Sequence, residues 1–476
     1  MKIVVRDISV FLGGIAIVNK VGFTLENNDH LAICGPSGSG KSTIAKVLHG
    51  DVFARGELFF LDQNTEPIVP KSVYVDQQHR FKNRSNVSNF YYQQRYNSTD
   101  NEDSLTVLEE LNRLVIDAHH EWITAFDILK LLDKPLIQLS NGENKRLQLV
   151  KALTASPDIL ILDNPYLGLD ATGRLILSES INRISESGIK IILIANEEDL
   201  PSCITHVLWM ENGNGSFHSK SHFLENNQLP QASKLTHSAA LHSLFKKTSS
   251  RTNAIIELKN LHIQYGAKLI LNNINWKVMR GERWCVTGPN GSGKSTLLSL
   301  ITADNPQGYA NEIYLFGKKR GSGESIWDIK SKIGYVSPEL HLYFDQGFTC
   351  KEVVASGLFD TIGLFRKLTQ DQEILVAKWL DAMEISDLQD KYMHQLSLGM
   401  QRWVMLTRAF VKNPELLILD EPCQGLDRIQ TQNFLYLIDS ICNDTNLTLI
   451  YVSHYTEDIP TCITHRMHLE NGNVVA

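Results

Sequence analysis

Leu-Leu-Ile-Leu-Asp-Glu-Pro, residues 416–422, is a short apolar run that ends in two adjacent carboxylates. The run is apolar at successive positions and has no internal Gly or Pro, which predicts a strand buried on both faces of a parallel sheet. Open α/β sheets bind ligands at the carboxyl ends of their strands, so Asp420 and Glu421 are predicted to lie at a binding site. Two neighbouring acids there suit metal binding and water activation.

The first half of the chain contains the same stretch with two changes, Ile159 in place of Leu416 and Asn164 in place of Glu421. Three stretches recur in the same order and at a nearly constant offset, which predicts two homologous domains in tandem. We place the first domain at 1–216, a linker at 217–254 and the second domain at 255–476. The recurring pairs are 35–43 with 288–296, 159–165 with 416–422, and 199–206 with 458–465.

Each half carries G-x-x-x-x-G-K-[ST], the pattern of a P-loop. Its glycines let backbone N–H groups turn toward a phosphate, and the following helix adds its positive end. The Lys of the pattern reaches the β- and γ-phosphates, and the next Ser binds Mg²⁺, the predicted cofactor for a bound nucleotide. The predicted nucleotide-binding residues are Gly35, Pro36, Ser37, Gly38, Ser39, Gly40, Lys41, Ser42, Thr43, Gly288, Pro289, Asn290, Gly291, Ser292, Gly293, Lys294, Ser295 and Thr296.

Composition narrows the class of protein. The 476 residues are 43% hydrophobic and 21% charged, as expected of a globular chain with two or three domains. The net charge of -7 argues against a general nucleic-acid binder. Seven scattered cysteines without a C-x-x-C pair predict reduced thiols. No apolar run approaches the roughly 20 residues that span a bilayer. We therefore expect a cytoplasmic protein whose membrane role, if it has one, is peripheral.

A second motif lies between the P-loop and the acidic strand of each half, at 139–143 (Leu-Ser-Asn-Gly-Glu) and 396–400 (Leu-Ser-Leu-Gly-Met). Its Ser and Gly at a helix start could bind an anion or serve as an ordinary cap. The order of P-loop, L-S-x-G-x, buried strand and Leu-Asp turn resembles the ATP-binding cassette (ABC) superfamily, twice over nearly the whole chain. The stretches 304–309, 321–328 and 459–465 are similar to the ModF-type tandem ATPases, which are associated with molybdate transport.

The resemblance implies an α/β fold with two P-loop NTPase domains of ABC type. Each domain would have a mainly parallel core sheet, an antiparallel β subdomain and a helical subdomain that carries the L-S-x-G signature. Members of the superfamily pair two such domains head to tail, so we expect the two domains of this chain to pair within one molecule. Ser140 and Gly142 would then complete the site of the second P-loop, and Ser397 and Gly399 that of the first.

The resemblance also assigns roles to single residues. Tyr265 would stack on adenine, with Phe11 or Leu12 at that position in the first half. Glu421 would orient the attacking water, His454 would contact the γ-phosphate, and Lys294 would neutralise charge. The predicted Mg²⁺-binding residues are Ser42, Gln77, Asp163, Ser295 and Asp420.

The two halves differ at the residues that act on the γ-phosphate. Asn164 and Asn196 stand where the second half has Glu421 and His454, and an amide cannot accept a proton at neutral pH. We therefore expect one competent site and one degenerate site. The second half departs from the family at Pro338, which aligns with Gln77, so turnover is expected to be slow.

Two functions follow from the resemblance. The first is an ATPase that energises or regulates a transporter for molybdate or a related oxyanion, with membrane transporter subunits as partners at the cytoplasmic face of the inner membrane. The alternative is a soluble ABC ATPase that acts on the ribosome or nucleic acid. A basic and aromatic stretch at 79–95 favours the alternative, whereas the short linker and the acidic net charge count against it.

Overall fold

The structure is a computed structural model that describes residues 1–77, 104–114, 116–117, 120–226, 239–245, 253–266, 268–344 and 347–475. The basic and aromatic stretch at 79–95 lies outside these residues. The chain divides into two compact units, which take the described residues up to 226 and those from 239 onward. We call them the first unit and the second unit.

The first unit contains nine described strands and six described helices. The strands are β1 (Lys2–Leu12), β2 (Ile15–Leu25), β3 (Leu31–Cys34), β4 (Arg55–Leu61), β5 (Ser72–Val75), β6 (Ile159–Asp163), β7 (Lys190–Ile194), β8 (His206–Glu211) and β9 (Asn214–Ser219). The helices are α1 (Lys41–His49), α2 (Val107–Arg113), α3 (Glu121–Ala125), α4 (Asn141–Leu153), α5 (Ala171–Glu186) and α6 (Lys220–Asn226).

The second unit has a similar order of elements with additions, among them a short strand and a helix between its counterparts of β4 and β5. It begins with a short helix in the predicted linker, α7 (Ala239–Leu244). The strands are β10 (Ala254–Tyr265), β11 (Lys268–Met279), β12 (Arg283–Thr287), β13 (Glu312–Leu315), β14 (Lys318–Lys319), β15 (Ile333–Val336), β16 (Leu416–Asp420), β17 (Thr448–Val452), β18 (His465–Glu470) and β19 (Asn473–Val475). The remaining helices are α8 (Lys294–Ile301), α9 (Ile326–Lys330), α10 (Pro338–Tyr343), α11 (Cys350–Ser356), α12 (Gln370–Ala382), α13 (Leu398–Phe410) and α14 (Arg428–Asp444).

Each unit has one mainly parallel sheet and one antiparallel sheet. The six-stranded sheets have the matching orders β5-β6-β7-β3-β8-β9 and β15-β16-β17-β12-β18-β19, in which only the last strand is antiparallel. The smaller sheets, β2-β1-β4 and β11-β10-β13-β14, are antiparallel. This architecture confirms the predicted α/β fold class.

The stretch 416–420 forms a central strand, as predicted. Leu416 and Ile418 face one core cluster, whereas Leu417 and Leu419 face the other, and all four are fully buried. The corresponding strand β6 divides its side chains between two core clusters in the same way. Burial on both faces explains why neither strand alternates between apolar and polar residues.

The helical part of the second unit depends on a close approach between two helices. Gly357 ends α11 with an ordinary helical backbone, φ −62° and ψ −26°, so its conformation alone does not require glycine. A Cβ at this position would overlap the carbonyl oxygen of Arg408 on α13 and lie 2.9 Å from Val411 Cγ1. Glycine is therefore required here by packing.

None of the helices in the described ranges combines the length and the apolar character needed to cross a bilayer.

We predict that Gly357→Ala lowers the free energy of unfolding by about 1–3 kcal/mol. The added Cβ would overlap a backbone oxygen, which cannot move away as the end of a flexible side chain can. Urea unfolding of the full chain, followed by circular dichroism, measures this change. Gly308→Ala is the matched control, since its Cβ would meet Leu300 Cδ2 at 3.6 Å, an ordinary contact. Equal effects of the two substitutions would contradict the packing argument.

Candidate functional site

The P-loop of each unit connects a buried strand to a helix through glycines that no other residue replaces easily. In the second unit the loop runs from β12 to α8, and Gly288 and Gly293 have φ angles of 144° and 106°. A Cβ on Gly288 would overlap the carbonyl oxygen of Leu469. In the first unit a Cβ on Gly35, with φ 131°, would overlap the carbonyl oxygen of Met210. Both loops are thus held against a neighbouring strand.

The P-loop lysines fold back over their own loops. Lys41 Nζ donates hydrogen bonds of 2.7 Å to the carbonyl oxygens of Gly35 and Pro36. Lys294 Nζ makes the equivalent bonds to Gly288 and Pro289, at 2.8 and 2.9 Å. Each ammonium group is therefore placed at the mouth of a loop of backbone N–H groups, which is an arrangement suited to a phosphate.

We call the carboxyl end of β16, with Asp420 and Glu421, the acidic edge of the second unit, and the matching end of β6, with Asp163, that of the first unit. In the second unit this edge brings Glu421 and His454 together. Glu421 follows β16 with a left-handed φ of 44°, and its N–H donates to Val452 O at 3.0 Å. His454 Nε2 lies 2.6 Å from Glu421 Oε1, within ion-pair distance although not in hydrogen-bond alignment. Gln424 Nε2 donates to the other carboxylate oxygen of Glu421 at 3.0 Å. The carboxylate is thus oriented from two sides.

The first unit keeps the same backbone with different side chains. Asn164 also has a φ of 44°, and its N–H donates to Ile194 O at 2.9 Å. Its amide Nδ2 donates to Asp163 Oδ1 at 3.1 Å. Asn196, the counterpart of His454, is exposed. Among the described residues of the first unit, these two asparagines therefore leave no carboxylate–imidazole pair at this edge.

A tyrosine that the sequence analysis did not select connects the P-loop to the acidic edge. The hydroxyl of Tyr74, on β5, donates to Asp163 Oδ2 at 2.7 Å and also hydrogen-bonds Ser42. Burial, together with the neighbouring Asp163 and Asp76, raises the pKa of Tyr74, so the hydroxyl keeps its proton. The repeat could have identified this tyrosine, because Tyr335 occupies the equivalent position in the second half.

The same contacts test whether the residues fit Mg²⁺. A hydroxyl from Ser42 and a buried carboxylate from Asp163 share one hydrogen-bonded neighbour beside the P-loop. Mg²⁺ takes oxygen ligands and is commonly bound through one or two protein groups together with substrate phosphates. The donor set fits that ion.

The segment after β15 differs from its counterpart after β5. In the second unit α10 begins at Pro338, and Ser337 caps it by accepting a hydrogen bond of 3.0 Å from Leu340 N. Proline suits the first helical position because its missing N–H would have no intrahelical partner there. Pro338 therefore starts a helix at the position where the first unit has Gln77.

Tyr265 is held in place at the tip of the β10–β11 hairpin. Asn305 Nδ2, which is buried, donates to the Tyr265 hydroxyl at 2.8 Å and to Ser299 Oγ at 3.2 Å. Tyr265 pairs with Lys268 as the last pair before the turn. In the first unit the last pair is Leu12 with Ile15, so hairpin register makes Leu12 the counterpart of Tyr265. Phe11 lies one position earlier.

The signature serines cap helices within their own units. Ser140 Oγ accepts from Glu143 N at 3.3 Å, and Glu143 accepts from Ser140 N at 2.7 Å, which completes a capping box. Lys134 Nζ lies 2.6 Å from the same carboxylate. Burial opposes the charged form of Glu143, but these hydrogen bonds lower its pKa. Ser397 Oγ accepts from Met400 N at 3.4 Å without such a box.

The glycines of the two signatures have different surroundings. Among the described residues, a Cβ on Gly142 would meet Leu169 Cδ2 alone, at 3.8 Å, whereas a Cβ on Gly399 would overlap the end of the Gln430 side chain. Because the end of a glutamine side chain can move, packing alone does not require glycine at position 399.

Comparison with known proteins identifies the family. The family described as ABC transporter matches residues 18–167 and 271–424. The ABC transporter ATP-binding protein ModF of Escherichia coli is 36% identical over 93% of this chain and 92% of its own length. An uncharacterized ABC transporter ATP-binding protein of Schizosaccharomyces pombe is 32% identical over 96% of both chains.

Among solved structures, an archaeal ribosome recycling factor, determined in complex with a ribosomal stalk protein, matches with a TM-score of 0.56. The match covers 98% of this chain and 89% of that chain at 18% identity, and therefore shows a shared fold alone. The family match and the two full-length relatives carry the assignment. The chain belongs to the ABC transporter family, and it is an ATP-binding and ATP-hydrolysing protein with two ABC domains in tandem, similar to ModF.

Proposed function

We propose that this protein hydrolyses ATP at the second P-loop and holds ATP at the first. The two ATP-binding domains are residues 1–216 and 255–476, and 217–254 joins them. The observation that carries the proposal is the Glu421–His454 pair, with 2.6 Å between its nearest atoms, beside Asn164 and Asn196 at the matching positions. A site without a carboxylate to orient water still binds the triphosphate through its P-loop.

In the hydrolytic site the residues of the second unit have separate tasks. Lys294 stabilises the negative charge that develops on the transferred phosphoryl group, because a cation placed there acts on the transition state. Glu421 orients the attacking water, and His454 holds the γ-phosphate. Ser295 and Asp420 would hold Mg²⁺, which supplies further charge neutralisation when bound with the nucleotide.

In the holding site Lys41 and the P-loop N–H groups bind the phosphates. Ser42, Asp163 and Gln77 would hold Mg²⁺ there. We propose that the signature of each domain serves the other domain's nucleotide, Ser140 and Gly142 at the second P-loop and Ser397 and Gly399 at the first. The two ATP molecules would then stabilise a paired state of the domains that hydrolysis at one site reopens.

We propose that this cycle energises or regulates a transporter for molybdate or a related oxyanion at the cytoplasmic face of the inner membrane. Similarity to ModF over 93% of the chain supports a transport role. The likeness to a ribosome recycling factor concerns the fold alone, and it leaves action on the ribosome or nucleic acid as the second candidate.

Glu421→Gln is predicted to abolish steady-state ATP hydrolysis and to preserve ATP binding, because an amide cannot accept a proton from water. Phosphate release and binding of a fluorescent ATP analogue measure the two properties. Glu415→Gln is the matched control, since Glu415 precedes β16 at its opposite end and pairs with Arg280 at 2.6 Å. Sizeable residual turnover in Glu421→Gln would contradict a single catalytic site.

A gain of function at the first P-loop is predicted to need both lost side chains. In the Glu421→Gln background, adding Asn164→Glu alone should leave turnover absent, because Asn196 remains. Adding Asn196→His as well should produce measurable phosphate release. Turnover from Asn164→Glu alone would show that the histidine position has no essential role.

Tyr265→Leu, which copies Leu12, is predicted to raise the KM for ATP about tenfold, since base stacking contributes roughly 1–3 kcal/mol. Tyr265→Phe keeps the ring and removes only the hydrogen bond from Asn305, so its KM should stay near that of the wild type. An unchanged KM in Tyr265→Leu would remove Tyr265 from the nucleotide site.

Affinity purification of the Glu421→Gln variant in ATP, from detergent-solubilised cells, tests the cellular role. Membrane transporter subunits among the retained proteins would support transport. Retention of ribosomes, or RNA binding that weakens steeply with salt, would support the second candidate instead.

A further inference from the structure

A buried arginine on α13, the signature helix that follows Ser397, makes few hydrogen bonds. Arg402 lies on α13, five positions after Ser397, and is only 3% exposed. Its Nη1 donates to Ser337 O at 3.4 Å, and its Nε has no hydrogen-bond partner among the described residues. A buried guanidinium that is so poorly hydrogen-bonded needs another source of compensation.

Strand register shows what compensates it. Val336 pairs with Leu419 in the parallel β15–β16 ladder, so Ser337 lies beside Asp420 at the carboxyl edge of the sheet. A guanidinium that contacts Ser337 O is therefore held next to the acidic pair, from inside the protein. Burial lowers the pKa of Arg402 to about 10, and the negative charges of Glu421 and Asp420 oppose that shift. Arg402 stays cationic at neutral pH.

The first unit has a cation in the same place. Lys145 also lies five positions after its signature serine, is 8% exposed, and donates from Nζ to Gln77 O at 2.9 Å. Burial lowers its pKa to about 8, while Asp163 and Asp76 oppose the shift. Lysine and arginine share a positive charge but differ in the shape of their charged groups. Both units therefore place a cation at this position.

The neighbouring residue Gln401 fixes the same turn of α13. Its Nε2 donates to Met393 O at 2.9 Å and to Leu396 O at 3.1 Å, and its Oε1 contacts His341 Nε2 on α10. The turn that carries Arg402 is thus joined both to the loop before the signature and to the helix after β15. A charge on this turn has a defined position relative to the sheet edge.

We propose that Arg402 is a positioning residue for hydrolysis, whose positive charge holds Asp420 and Glu421 in their working arrangement from the protein side. Two adjacent carboxylates repel each other, and Glu421 also carries a left-handed backbone. A fixed cation behind them offsets the repulsion and links their position to the signature helix. This proposal rests on the proposed catalytic role of Glu421.

Three substitutions at Arg402 test the charge. Arg402→Met and Arg402→Gln should lower kcat by about tenfold or more, the loss typical of residues that orient a catalytic group. The KM for ATP should change by less than about threefold, because the hydrogen bond that Arg402 makes among the described residues goes to Ser337 and not to a predicted nucleotide-binding residue. Arg402→Lys should retain most of kcat, since the first unit uses lysine at this position.

Arg408→Met is the matched control. Arg408 lies on the same helix, is 5% exposed, and its pKa is also lowered to about 10 by burial. It hydrogen-bonds Ser356 Oγ at 3.1 Å and Thr361 O at 3.2 Å, and it faces Asp360 instead of the acidic edge. Its loss should lower the melting temperature and leave kcat per folded molecule unchanged.

Wild-type kcat in either folded neutral variant would overturn the proposal. It would also be overturned if Arg402→Lys lost as much kcat as Arg402→Gln, or if Arg408→Met reproduced the loss of kcat. Glu421→Gln, assayed beside them, separates the two claims. Turnover in Glu421→Gln would refute the proposed catalytic role itself, whereas an inactive Glu421→Gln with active neutral Arg402 variants would refute only the positioning role.

Discussion

From Leu416 to Leu419 every side chain of β16 is removed from water, and successive residues enter two separate core clusters. A strand that is buried on both faces cannot slip in register without exposing apolar area on one face and leaving a gap on the other. Its end is therefore fixed, and with it the place where the polar residues begin. The strand β6 imposes the same constraint on the first unit.

Fixed strand ends explain how the two units can share a backbone and differ in chemistry. Glu421 and Asn164 have the same φ of 44°, and the N–H of each donates to the carbonyl oxygen of the last residue of the neighbouring strand. Asparagine tolerates a left-handed backbone better than most residues, so the change from Glu to Asn places no strain on the fold. The substitution removes a carboxylate and leaves its scaffold in place.

The second constraint on the site is the placement of positive charge near its acidic residues. Lys41 and Lys294 donate to carbonyl oxygens of their own P-loops. Lys145 and Arg402 donate to carbonyl oxygens just after β5 and β15, the strands that pair with the acidic strands β6 and β16. Buried cations without full hydrogen bonding destabilise a fold unless a nearby charge offsets them. A buried cation thus accompanies the acidic strand end in both units, including the unit that has Asn164 instead of a glutamate.

The repeat and the local motifs were enough to predict the tandem α/β fold, the P-loops and the acidic edges, because these depend on short patterns of glycine, apolar and acidic residues. Other features required the tertiary structure. Tyr74 is joined to Ser42 and Asp163 only after β5 and β6 pair, and Leu12 becomes the counterpart of Tyr265 only through hairpin register.

The same holds for Arg402, whose approach to Asp420 depends on Ser337 being placed there by the β15–β16 ladder. The sequence by itself determined which residue types occur and in what order, since backbone propensity and hydropathy are local. The structure alone decided which of them meet, because contacts between residues distant along the chain arise from strand order and register.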